Sequence, residues 1–232
     1  MLLARFLPRA FKRLVVAASL AAPLLAAAAT TLYTQPFAET ANGGYYASTL
    51  GGFLQFDSFT LGADSTIESV RWYGVDLNEL LGWTPVNPTL FTVAIHADDG
   101  NGMPGSVLTS STIGDSAAAT NTGTQLLGLA LYQYTGTLTT PFHAAAGTTY
   151  WIGISDPTTN GNWFWASGSG PDATHAGIVG GTPAAYADDM SFTLDGTITA
   201  VPEPASSVLF LLGAAGLLGM RAKQQRRRQT AV

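Results

Sequence analysis

Between residues 30 and 200 the chain alternates apolar and polar positions with a period of two, in short segments divided by turn-forming residues. The segment Phe91-Thr92-Val93-Ala94-Ile95-His96-Ala97 sets the pattern. In an extended strand Phe91, Val93 and Ile95 fall on one face and Thr92, Ala94 and His96 on the other. Residues 67–75 and 127–135 alternate in the same way, Tyr150, Ile152 and Ile154 share a face, and 53–61 and 190–198 are further strand candidates. Clusters of Gly, Asp, Asn, Ser and Pro at 61–65, 98–105, 156–161 and 167–172 supply the turns. No long window carries a helical period. Residues 111–124, rich in Ser, Thr, Ala, Gly and Asn, read as a long flexible loop. These elements predict an all-β fold, a two-sheet β-sandwich of jelly-roll type, occupying 30–200 as one domain.

Both ends break the alternation. Residues 1–29 open with the cations Arg5, Arg9, Lys12 and Arg13 and continue as an apolar run to Ala27-Ala28-Ala29. This is the layout of a secretory signal peptide, helical before removal, and it places signal-peptidase cleavage between Ala29 and Thr30. No Arg-Arg pair supports a twin-arginine route.

Residues 201–232 divide into three parts. In Val201-Pro202-Glu203-Pro204 the two prolines fix φ and remove two backbone donors, so Glu203 is held on an extended, accessible segment. Residues 205–220 are free of charge, and as a transmembrane helix they would span about 24 Å against a hydrocarbon core of about 30 Å. Local thinning and snorkelling of Arg221 would close that gap. The basic tail, 221–232, carries Arg221, Lys223, Arg226, Arg227 and Arg228 and favours the cytoplasmic side.

Pro-Glu-Pro at 202–204, a short apolar helix and a terminal arginine cluster together resemble the PEP-CTERM sorting signal of Gram-negative bacteria. The resemblance implies recognition by an exosortase in the inner membrane, cleavage near Pro202–Pro204, and a protein that accompanies exopolysaccharide production. The precursor would be anchored in the inner membrane, and the mature form would lie at the cell surface or beyond it. Within the middle segment, the runs 98–108 and 146–152 resemble parts of extracellular β-sandwich ectodomains that occur with several anchor types.

Setting the ends aside changes the charge. Of ten Lys and Arg, only Arg71 lies between 30 and 200, against fourteen carboxylates, so the segment carries −13 where the whole chain carries −5. A surface of that sign excludes nucleic acid and anionic polymers as partners and favours divalent cations or neutral sugars. Cysteine is absent although an exported protein can form disulfides, so stability has to come from a core.

Candidate chemistry is sparse. Asp98, Asp99 and Asn101 gather three side-chain oxygens in one Gly-rich loop where Ca²⁺ could sit, without the alternate-ligand spacing of an EF-hand. Asp and Asn also occupy such turns for conformational reasons alone. Asp188-Asp189 is a second acidic pair. In Trp163-Phe164-Trp165 an extended backbone sends Trp163 and Trp165 to one face, which suits stacking on sugar rings if exposed and a sandwich core if not. Trp72, Trp83 and Trp151 fit core or rim positions. His96, His143 and His175 lack metal-ligand spacing, and Gly114-Asp115-Ser116 lacks the second glycine of a hydrolase nucleophile turn. Taken together, these features predict an exported, acidic, non-catalytic protein of the envelope or exopolysaccharide matrix. A lectin-like module, calcium-assisted or not, and a glycan-active enzyme are the alternatives, and no cofactor is required beyond that calcium.

Overall fold

The computed structural model describes residues 29–38, 44–49, 52–77, 90–114, 117–156 and 163–199. The signal segment with Ala27, the sorting tail from Val201 to Arg228, and with them both flanking helices, lie outside the described residues, as do Trp83, Asp115 and Ser116. Among the described residues the chain is all-β, in two antiparallel sheets.

Among the described residues fourteen strands follow one another in sequence. They begin with β1 (Thr30–Gln35), β2 (Tyr45–Ala47), β3 (Phe53–Thr60), β4 (Ser65–Asp76) and β5 (Thr92–Asp98). Next come β6 (Pro104–Thr112), β7 (Ala118–Leu126), β8 (Leu129–Ala144), β9 (Thr149–Ser155) and β10 (Trp163–Gly168). The last are β11 (His175–Val179), β12 (Thr182–Tyr186), β13 (Asp189–Met190) and β14 (Phe192–Ile198). One sheet runs β1-β14-β4-β10-β13, with β8 on the other side of β4, β7 beyond β8, and β2 on β10. The second sheet runs β12-β11-β3-β9-β5-β6. Successive strands such as β3, β4 and β5 cross from one sheet to the other and back.

The core lies between the sheets. Phe91, Val93 and Ile95 face inward, as do Ile152 and Ile154, while Thr92, Ala94 and His96 are only partly covered. From the facing sheet come Val70, Trp72, Trp163, Trp165, Phe192 and Leu194. In β4 the inward positions run Ile67, Val70, Trp72, a change of parity that a register shift between Ile67 and Ser69 produces. Its partner β14 shifts between Asp195 and Gly196, where a Cβ would stand 2.0 Å from the Thr66 carbonyl oxygen, so only glycine fits. Gly74 likewise makes room for an indole: a Cβ there would meet Trp163 Nε1 at 2.5 Å.

The expected loop at 111–124 is not observed. Instead β6 reaches Thr112, and β7 pairs with β8 from Ala118 opposite Thr135 to Leu126 opposite Leu129. Along β7 every residue before Leu126 is exposed, so this strand has no apolar alternation to read. Its hairpin turn is set by Leu127 and Gly128, both at positive φ (52° and 82°), as a two-residue turn matching strand twist demands.

Candidate functional site

Both sequence-derived binding candidates sit in surroundings that change their meaning. Trp163 and Trp165 do share a face, with Phe164 on the other. That face is the core. Trp163 is 1% and Trp165 0% exposed, and the Trp165 Nε1–H donates to the Ser191 carbonyl at 2.8 Å. Neither indole has a surface on which a sugar ring could stack, so the stacking assignment is corrected. Both sides of β10 are apolar, and the strand alternation identifies shared faces without saying which is solvated.

At the end of β5 and in the turn after it, Asp98 and Asp99 are engaged by hydrogen-bond donors of the protein. The Asp98 carboxylate accepts from Trp151 Nε1 (2.8 Å) and from Gly100 N (2.9 Å). Asp99 accepts from the backbone N–H of Asn101 (2.7 Å) and Met103 (3.1 Å), and from the Asn101 amide nitrogen (3.3 Å). The backbone bond from Asn101 leads the causes that hold Asp99 below the usual carboxylate range. Asp99 closes the turn on itself, and Asp98 ties it to Trp151 of β9.

A group of three carboxylates that could hold a metal lies elsewhere. Carboxylate oxygens of Asp57, Asp172 and Asp189 lie within 4.8 Å of one another, although the residues are far apart in sequence. Sheet pairing brings them together. In β11, His175 pairs with Asp57 of β3, and in β13, Asp189 pairs with Gly168 of β10. The connection between β10 and β11 therefore passes over both, and it carries Asp172. Asp189 fastens this connection by accepting from Gly170 N (2.6 Å) and Thr174 N (3.3 Å), and Ala173 takes up a positive φ of 52°. A side chain at Gly170 would strike the Gln35 amide, its Cβ 2.4 Å from the end of that side chain.

Asp57 is the buried member, 0% exposed. It accepts from the backbone N–H of Met190 and from that of Ser58 (2.6 Å). The Gln35 amide, with its nitrogen facing the carboxylate, donates to Asp57 Oδ2 (2.9 Å) and to the Met190 carbonyl (2.7 Å), and its oxygen accepts from the Tyr33 hydroxyl (3.0 Å). Asp172 is exposed and accepts from Ser58 Oγ at 3.0 Å. Burial pushes Asp57 well above the ordinary carboxylate value, with the nearby Asp189 and Asp172 charges adding to it. Asp189 is pushed up to about 6, first by burial and then by its hydrogen bond with Asp172. Three carboxylates this close cannot all ionise cheaply: a shared proton relieves them, or a divalent cation does.

Asp188, the neighbour of Asp189, serves a different network. It accepts from the Tyr46 hydroxyl (2.9 and 3.0 Å) and from Ser167 Oγ (3.1 Å). His175 Nδ1–H donates to the Asp188 carbonyl at 2.7 Å, and the ring stacks on Tyr186 at a centroid distance of 4.8 Å. Burial lowers the His175 pKa, so the ring is neutral at pH 7 and its contact with the Asp188 carboxylate is not an ion pair. His96 meets the Gly105 carbonyl and His143 meets Thr66, so the three histidines stand apart. Arg71 is committed to Asp195 in a bidentate pair, Nε to Oδ2 at 2.7 Å and a terminal nitrogen to Oδ1 at 2.8 Å.

Sequence reading found Asp189 but missed Asp57 and Asp172. A signal for Asp57 was present: it shares parity with the inward Phe59 and Leu61, and a carboxylate on a core-facing position has to be paired. Asp172 had none, being one turn residue among several.

Comparison with known proteins bears on the end of the chain. A family model described as the PEP-CTERM protein-sorting motif matches residues 200–228. The chain therefore carries this sorting signal, which implies an exported protein, anchored through its C-terminus and processed by an exosortase. No curated protein matches the chain.

Proposed function

Starting from that sorting signal, we propose that residues 30–200 work outside the cell of a Gram-negative bacterium, as a non-catalytic component of the envelope or the exopolysaccharide matrix. The observation that carries this reading is charge segregation. Every Lys and Arg except Arg71 falls in the two terminal segments, and Arg71 is paired with Asp195. Basic clusters at both ends hold the precursor's termini in the cytoplasm and leave the acidic sandwich on the far side of the inner membrane. β1 begins at Thr30, so signal-peptidase cleavage after Ala29 would remove no strand residue.

Intact-mass analysis of the mature protein from its own host tests this. Two cleavages are expected, one near Ala29–Thr30 and one near Pro202–Pro204. A full-length polypeptide recovered from the cytosol would overturn the proposal.

Calcium assistance is a second reading, favoured by one observation: Asp57, Asp172 and Asp189 converge within 4.8 Å. A cation there would fasten the β10–β11 connection to β3. Its test is the calcium dependence of stability argued in the Discussion.

A further inference from the structure

We propose that a groove beside the free stretch of β3 binds a neutral saccharide. β11 pairs with β3 only as far as Asp57, while β9 pairs with it as far as Thr60. Ser58, Phe59 and Thr60 therefore have a strand on one side only, and a cavity of about 470 Å³ opens there. One wall is formed by Tyr33 and the Pro171–Thr174 segment, the other by Trp151, Thr149 and the turn containing Asp98 and Gly102. This volume lies within the usual range of ligand clefts.

The chemistry of the walls selects the ligand. Phe59 and Trp151, 1% and 5% exposed, only back the groove, and the exposed Pro171 is the apolar surface that the C–H face of a pyranose would meet. Ser58, Thr60, Thr149 and Thr174 contribute hydroxyls that both donate and accept, and Asp98 and Asp172 contribute carboxylates. No cation is among the lining residues, and Arg71 is held by Asp195 at 2.7 Å. An anionic polymer would meet two carboxylates with nothing to balance its charge. A neutral sugar would meet acceptors for its hydroxyls. The walls are also fixed beforehand: Trp151 Nε1 bonds Asp98 (2.8 Å), Ser58 Oγ bonds Asp172 (3.0 Å), and the Thr60 and Thr149 hydroxyls bond each other (3.2 Å). Each carboxylate oxygen keeps a lone pair for a sugar hydroxyl. Preorganisation of this kind lowers the entropic cost of binding.

The inference goes beyond export and fails separately from it, because binding by purified protein does not depend on the route of secretion. The test uses the purified mature protein on immobilised neutral glucan, mannan and galactan oligosaccharides, with polygalacturonate as the anionic counter-probe. At least one neutral series should bind in EDTA, and polygalacturonate should not. Thr149→Arg, which fills the groove from its exposed rim, and Asp172→Ala should each weaken binding at least tenfold. Thr149→Arg should do so with an unchanged thermal melt, which separates lost recognition from lost folding. Failure of every neutral series, equal binding of polygalacturonate, a strict calcium requirement, or indifference to both substitutions would each overturn the proposal.

Discussion

Asp98 ends β5 and Asp99 opens the exposed turn after it, and backbone N–H groups of that turn, with Trp151 Nε1, take up their oxygens. Asp57, Asp172 and Asp189 come from β3, the β10–β11 connection and β13, and they meet where burial is deepest at Asp57. The same side chain therefore titrates in opposite directions. Asp99 is lowered because fixed donors favour its charge, and Asp57 and Asp189 are raised because lost solvent disfavours theirs. Acidic residues clustered in sequence mark a turn here. Those clustered by topology hold the unbalanced charge.

Removing one carboxylate from each region should widen this contrast most. Asp57→Ala orphans the Met190 and Ser58 N–H groups and the Gln35 amide, and should cost about 3 kcal/mol. In a domain of this size that lowers the melting temperature by roughly 6–12 °C. Asp99→Ala, at a fully exposed site, should melt with the unsubstituted protein. Equal shifts in paired thermal melts would break the comparison.

Calcium should separate the regions next. If a cation relieves the crowded carboxylates, adding calcium at pH 7.5 raises the melting temperature, by an amount equivalent to about 2.7 kcal/mol when calcium stands at 100 times its dissociation constant. Asp189→Asn should abolish the increment and Asp99→Asn should preserve it. The reverse pattern would return the cation to the turn.

Much of the architecture was legible in the residue order, because strands that bury one face against the core announce it by alternation, as 91–97 does. β7 was not, since a strand exposed along almost its whole length has no apolar face to declare. Shared parity placed Trp163 and Trp165 together, but β10 packs against apolar neighbours on both sides, and only the sheet partners decide which face is inside. The carboxylate cluster was illegible for a different reason. Its members are joined by pairings such as His175 with Asp57 and Asp189 with Gly168, which no local spacing encodes. Trp151 shows the same limit: in sequence it is one aromatic in a strand, and it becomes part of a groove only once the turn after β5 bonds to it.

The smallest expected effect is the pH dependence that the cluster imposes when no metal is present. A carboxyl group whose pKa is higher folded than unfolded binds protons more tightly in the native state, so its contribution is complete below the unfolded value and disappears as pH rises through the folded one. For Asp189 that window runs from the ordinary value of 3.8 to about 6. Asp195 acts with the opposite sign: the Arg71 hydrogen bonds lower its pKa, so its stabilisation is present above 3.8 and is lost as pH falls through its folded value. Denaturant midpoints measured in EDTA should therefore decline between about pH 4 and pH 6.5, and Asp189→Asn should make that decline shallower, leaving the part that Asp57 contributes. Arg71→Gln should leave the decline in place and remove only the acid-side loss. A decline left undiminished by Asp189→Asn would show that the connection over β3 does not depend on a proton held there, and the distinction between the two acidic regions would then rest on Asp57 alone.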